Sequence, residues 1–196
     1  ASARHVWPNQ PLGNCVINAT DLRWRYAGVS PELTKIRLYE NIAAGGYLDY
    51  CINGIFEDYP DRSSLDAARE VFHYHWKNEQ YYGHLISQAR VLVMRADGSR
   101  PIQDESRNYF GVMKVLKEEH ILFDVQIDQN IIVHPKLLLP YSVVLIPDIT
   151  EVSAQFLKLV RESGKQLIVM NVNQKLSFEQ SRVLGIQLER IETDNA

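Results

Sequence analysis

The chain of 196 residues lacks any apolar run near the about 18 that a membrane-spanning helix needs, and its first residues show no basic stretch leading into an apolar core. Neither charge sign is in excess: 21 Lys and Arg stand against 24 Asp and Glu, for a formal charge of -3. That balance, without long runs of like charge, excludes a basic nucleic-acid footprint. Cysteine is scarce, with only Cys15 and Cys51 and none beyond. A disulfide scaffold and a zinc pattern are therefore excluded, as is a cysteine nucleophile in the second half. The two cysteines lie at or within strand candidates and are expected to be buried free thiols in a reducing, cytoplasmic compartment; a bond between adjacent strands is the weaker alternative.

What is present is the composition of a globular domain, 45% hydrophobic and 23% charged. After an irregular start, NCVINA over 14–19 reads as a short buried strand. Ser30-Pro31-Glu32 starts a helix, with a serine cap, a proline where a missing N–H costs nothing and an acid at the positive helix end. Leu33, Ile36, Tyr39, Ile42 and Ala43 form its apolar stripe, and Gly45-Gly46 stop it. YLDYCINGIF over 47–56 alternates little, as a parallel strand covered on both faces would. Ser63 with Asp66 has the capping-box spacing ahead of a long helix, in which Leu65, Ala68, Phe72, Trp76 and Tyr82 recur at helical intervals, ending near Gly83. Strand, helix, strand, helix is the order of two successive β/α units.

From Ala89 the rhythm changes. ARVLVMRA, FDVQI, YSVVLIP and QLIVMN read as strands. Helices are expected over 107–119, with Tyr109, Val112, Met113 and Leu116 on one side, and over 151–163, capped by Thr150 and stopped by Gly164. A short helix from Phe178 and an edge strand IQLERIE close the chain. Right-handed crossovers make this an open, mainly parallel sheet of flavodoxin-like type, a three-layer domain over 87–196. Flavin is disfavoured: the loop ADGSRPIQDE carries three acids where a phosphate would sit. No cofactor is expected.

RWRYAGVSPELTKIRLYENIAAGGYLDYCINGIF, with DAAREVFHYHWKNEQYYG after it, resembles the end of the catalytic barrel in β-galactosidases of glycoside hydrolase family 42 and related glycosidases. The second half is similar to the β-galactosidase trimerisation domain, whose fold is like that of class I glutamine amidotransferases. The resemblance implies that 1–86 are the last two β/α units of a TIM-type (β/α)8 barrel, within a protein extending N-terminally by about 350 to 450 residues. It also implies a homo-oligomer, a trimer, acting on carbohydrate with two carboxylates, one protonating the leaving oxygen and one attacking the anomeric carbon. The acid would come from a strand outside these units, so this chain alone is expected to be inactive. The nucleophilic glutamate belongs after the first strand here. There NATDLRWRY offers Asp21 as the one carboxylate between Val16 and Glu32; either Asp21 substitutes with a shorter reach or the site is altered.

Asp21 is thus the candidate catalytic residue. Trp24, Arg25 and Tyr26 beside it suit a sugar, an aromatic face for its C–H face and polar groups for its hydroxyls. Asn53 and Glu57, with Asp58 and Tyr59 beside them, follow the next strand and would face the same rim as substrate-binding residues, although turn acids explain Glu57 and Asp58 as well. His73 and His75 point to different faces of one helix, and His75 with Glu79 lacks a third ligand, so no metal is expected. The competing reading is a non-catalytic assembly module in which the α/β domain oligomerises and the barrel remnant only packs; a free-standing small-molecule-binding protein is the third.

Overall fold

The computed structural model describes residues 10, 12–82, 85–95, 106–149, 152–170 and 177–185. It is a mixed α/β protein with parallel sheets, divided between Ile86 and Ser87 into two compact units. The expected loop over 96–105, the Thr150 cap, Gly83 and the closing IQLERIE strand lie outside the described residues.

The first unit runs β1 (Gly13–Ile17), α1 (Pro31–Ala43), β2 (Tyr47–Cys51) and α2 (Ser63–Tyr82). The strands pair in parallel, Cys15 opposite Asp49 and Ile17 opposite Cys51. Helix α1 starts where the sequence predicts: Ser30 Oγ accepts from the Leu33 N–H at 3.2 Å, Pro31 is the first helical residue, and Gly45 follows the helix at φ 70°. The expected strand over 47–56 ends at Cys51, where its pairing with β1 ends opposite Ile17, and Gly54 beyond it sits at φ 119°. Helix α2 starts at Ser63, and the acceptor holding that start is Asp61 rather than Ser63: Asp61 Oδ1 takes the Ser63 N–H at 2.9 Å.

Both helices bury a face rotated from the one expected, which shares only Ile42 on α1 and Ala68 on α2 with it. Buried on α1 are Thr34, Leu38, Asn41 and Ile42, whereas Leu33, Ile36 and Tyr39 are exposed. Buried on α2 are Ser64, Ala67, Ala68 and Val71, whereas Phe72 is exposed and Trp76 is 68% exposed. Leu38, Ile42, Ala68 and Val71 close over Val16 of β1. Residues as small as Ser64, Ala67 and Ala68 let two helices approach closely, so size rather than hydrophobicity selects the α2 face.

Thr34 is fully buried, and its Oγ1 has no hydrogen-bond partner among the described residues. An unpaired buried hydroxyl costs about 1 to 3 kcal/mol. Thr34→Val, which keeps the shape and removes the hydroxyl, is expected to stabilise the first unit by about 1 kcal/mol. The urea midpoint checks this; a lower midpoint would mean that the hydroxyl has a partner.

The second unit runs β3 (Val91–Arg95), α3 (Ser106–Glu118), β4 (Phe123–Ile127), α4 (Asp128–Val133), β5 (Val143–Ile146), α5 (Ala154–Glu162), β6 (Gln166–Val169) and α6 (Phe178–Leu184). All strand pairs are parallel, in the order β4-β3-β5-β6. Alternation divides the core between two faces. Leu92, Met94, Val144 and Ile146 pack with Ile131 of α4 and Phe156, Leu157 and Val160 of α5, while Val93, Val125 and Leu145 pack with Tyr109, Val112 and Leu116 of α3. Helices thus cover both faces of the sheet.

Two differences from expectation have plain causes. The segment between β4 and β5, unassigned from sequence, holds α4 and a 3-10 turn over Pro135–Leu138, since strands that end up parallel need a crossover between them. Helix α5 is capped by Ser153, whose Oγ accepts from the Phe156 N–H at 3.3 Å, three residues beyond the expected cap. Helix α6 carries a reciprocal capping box between Ser177 and Gln180, a spacing visible in the sequence.

Candidate functional site

Both candidate loops leave the carboxyl ends of β1 and β2, the end where parallel β/α sheets place their sites. The loop after β1 is anchored from below. Asn18, 1% exposed, accepts through Oδ1 from the Val29 N–H at 3.4 Å and from Ser64 Oγ–H at 3.0 Å, while the Tyr50 hydroxyl donates to Ser64 Oγ at 3.1 Å. Strand, loop and the start of α2 are thereby tied together.

Asp21 begins a 3-10 turn over Leu22–Trp24, and its Oδ1 accepts from the Arg23 N–H at 2.9 Å. Part of its hydrogen-bonding capacity thus shapes the loop, yet the residue is exposed. Trp24, 67% exposed, follows on the same turn. Arg25 places its guanidinium 5.3 Å from the Tyr26 ring centre, and Tyr26 packs edge-on against Tyr59, also at 5.3 Å.

Tyr59 joins the two loops. It is 4% exposed, and its hydroxyl lies 2.6 Å from both the Arg25 and the Asn53 carbonyl oxygens, which share its single proton. Burial raises its proton affinity, so the phenol stays neutral and donating. Gly54 is required where Tyr26 crosses: a Cβ there would stand 2.9 Å from ring atoms, on a backbone at φ 119°. The structure therefore brings Arg25, Tyr26 and Asn53 together. Glu57 is exposed on the 3-10 turn Phe56–Asp58.

Beside β1 lies a cleft of about 390 Å³, lined on its polar side by Thr20, Asp21, Arg37, Glu40 and Asn41. Asp21 is the candidate that reaches it; Trp24, Arg25, Tyr26, Asn53 and Glu57 are outside its lining. Arg37 Nη1 donates to the Ile17 carbonyl at 3.4 Å and Asn41 Nδ2 to the Asn14 carbonyl at 2.8 Å, so α1 lays polar side chains against β1. Sequence reasoning missed Arg37 and Glu40, which read as the solvated face of an amphipathic helix.

No protein-family model, curated protein or solved structure matches this chain. Its function is read from these side chains.

The cysteines depart from expectation. Both are free, but Cys15 is exposed and Cys51 only half-buried, because the β1-β2 face opposite the helices carries no layer among the described residues. Loss of solvent around the Cys15 sulfur, with the Asp49 carboxylate and Cys51 beside it, pushes that thiol up to about 11. It is protonated at neutral pH and a poor nucleophile. His73 and His75 lie on α2, where His73 is near Trp76 and His75 stacks on Tyr82. Among the described residues, no group of three His, Cys, Asp or Glu is arranged to hold a metal ion.

In the second unit the buried polar residues at the amino end of the sheet serve packing. Asp124 accepts from the Ser87 hydroxyl at 2.8 Å and from the Tyr141 hydroxyl at 2.9 Å. At the carboxyl end, Asp128 accepts from the Gln129 N–H at 2.8 Å and the Ser153 N–H at 2.9 Å, joining α4 to the start of α5.

Proposed function

We propose that the first unit is the closing quarter of a (β/α)8 glycoside hydrolase-like barrel, acting on carbohydrate in a β-galactosidase-like protein, and that the second is an accessory, flavodoxin-like domain for homo-oligomerisation into a trimer. The observation that carries the first part is Asp21: it stands at the carboxyl end of a parallel strand and lines a cleft of about 390 Å³ with Arg37 and Glu40, a volume within the range of small-ligand sites. A carboxylate, a guanidinium and an amide form a hydroxyl-binding set, and Trp24, outside the lining but on the turn that Asp21 begins, supplies an exposed aromatic face beside it. The edge of β1 supports the barrel reading. The Tyr47 N–H donates to the Leu12 carbonyl and the Asn18 N–H to the Cys51 carbonyl, so even-numbered residues of β1 turn toward β2. By alternation Gly13, Cys15 and Ile17 direct backbone groups to an edge that has no partner strand among the described residues, as the first of a series of closing strands would.

For the second unit, the strand order β4-β3-β5-β6 supports a flavodoxin-like arrangement. On the α3 side of the sheet an apolar cleft of about 290 Å³ is lined by Val112, Val115, Leu116, Leu145 and Met170, with Val115 57% exposed. That is a surface suited to a subunit contact.

The protein as its gene encodes it tests the sugar site. Galactose is expected to quench Trp24 fluorescence saturably, with Trp24→Phe removing the signal. Asp21→Asn is expected to weaken binding about tenfold, the loss of one charge-assisted hydrogen bond. Binding unaffected by Asp21→Asn, measured by calorimetry, would move the site elsewhere. Light scattering tests the assembly: a monomer at micromolar concentration would remove the oligomerisation role.

A further inference from the structure

Asn53 and Gly54 form the one asparagine-glycine step of the chain, on the loop after β2. Such a step brings a side-chain amide carbon and the next main-chain nitrogen within reach of a five-membered ring, and the missing Cβ of glycine leaves the approach open. Asn53 is half-buried and Gly54 exposed, so water reaches the pair.

The fold adds a donor at each end of the reacting unit. Cys51 Sγ lies 3.5 Å from Asn53 Oδ1 and donates its proton there. A donor on that oxygen stabilises the charge that gathers on it when its carbon is attacked. The Tyr59 hydroxyl stands 2.6 Å from the Asn53 main-chain carbonyl, which shares its proton with the Arg25 carbonyl. Where it donates, it draws electron density from the peptide bond to Gly54 and makes that N–H easier to deprotonate. The N–H itself has no hydrogen-bond partner among the described residues. The nitrogen is therefore free to attack.

We propose that Asn53 is a site of spontaneous covalent modification, converting through a cyclic imide to aspartate and isoaspartate. The Gly54 nitrogen gives its proton to water and bonds to Asn53 Cγ; the Cγ–Nδ2 bond then breaks, and Nδ2 leaves as ammonia with a proton from solvent. One water molecule opens the imide at either carbonyl, with no change of oxidation state. Opening at the former main-chain carbonyl gives isoaspartate, whose main chain runs through the former side chain and is one carbon longer. The added carbon meets a crowded loop: the Tyr26 ring crosses Gly54 so closely that a Cβ there would stand 2.9 Å from it. Conversion thus displaces the loop that Tyr26 and Tyr59 pack, and it puts a carboxylate where the candidate sugar site has the Asn53 amide. The modification does not rest on the sugar reading.

The test is incubation of the unsubstituted chain in neutral buffer, beside a synthetic peptide of residues 50–56, with aspartate and isoaspartate at each asparagine read by peptide mapping and mass spectrometry. Asn53 is expected to convert ahead of every other asparagine, and within about threefold of the peptide's rate because the donors offset the restraint of the fold. Cys51→Ala is expected to slow the folded chain about fivefold, Cys51→Ser to restore it through a hydroxyl donor, and neither to change the peptide, in which nothing holds the thiol at Oδ1. The comparison of chain and peptide holds even where a variant fails to fold. Conversion more than about threefold slower in the chain than in the peptide, another asparagine converting first, or a Cys51→Ala chain at the wild-type rate would overturn the site.

Discussion

Phe156→Ala is expected to lower the unfolding free energy of the second unit by about 3 to 5 kcal/mol, the range for removing a fully buried phenylalanine. Phe156 is 0% exposed and packs in one cluster with Leu92, Met94, Val144 and Ile146 of the sheet and Ile131 of α4. Strands on one side and two helices on the other limit how far the site can collapse. The lost transfer energy is therefore joined by the cost of a cavity. The change should appear as a lower urea midpoint at unchanged slope. Leu139→Ala, at a residue 71% exposed, is the control and should change the midpoint little. A Phe156→Ala effect as small as the control's would mean that the α5 face is not the core of this unit.

Asp124→Ala is expected to cost about 1 to 3 kcal/mol, because it leaves the buried Tyr141 hydroxyl without its carboxylate, while that of the exposed Ser87 turns to water. Asp124 is 5% exposed and Tyr141 7%, so water can replace the lost acceptor only by entering the sheet edge. The same pair sets a pH dependence. Burial, and then the Asp124 charge and hydrogen bond, raise the Tyr141 phenol well above its ordinary value of 10. A proton held more tightly in the folded state adds stability that is complete below the unfolded value and is lost as pH rises from there through the folded one. Stability should accordingly fall above pH 10. Tyr141→Phe should flatten that fall, and Asp124→Ala should reduce it. Denaturant unfolding measured at intervals from pH 8 to 11 separates the three proteins. Identical slopes in all three would detach Tyr141 from the alkaline loss.

Tyr59 shows why part of the candidate site stayed hidden. The loop residues Asp21, Trp24, Arg25, Tyr26, Asn53 and Glu57 can be picked out because they follow strand candidates and carry sugar-suited groups. What Tyr59 does depends on a carbonyl 34 residues earlier, and no local spacing records that contact. Arg37 and Glu40 escaped notice for a related reason. On a helix they read as a solvated face, and they line a cleft only because α1 lies against β1.

By itself the sequence determined the mixed α/β class, the parallel strands, both ends of α1 and the start of α6, since a serine cap, a proline at the first helical position and a glycine stop act over three or four residues. Tertiary structure alone decided which stripe of each helix is buried. On α1, Leu33 with Ile36 and Leu38 with Ile42 both satisfy helical spacing, and packing against Val16 and Val71 selects the second pair. On α2, close approach selects Ala67 and Ala68 over Trp76. The exposure of Cys15 was decided in the same way, by the absence of a layer over that face of β1 and β2 among the described residues. Caps and turns are local free energies written in consecutive residues, whereas burial is a property of the neighbour, which a stripe of apolar side chains does not name.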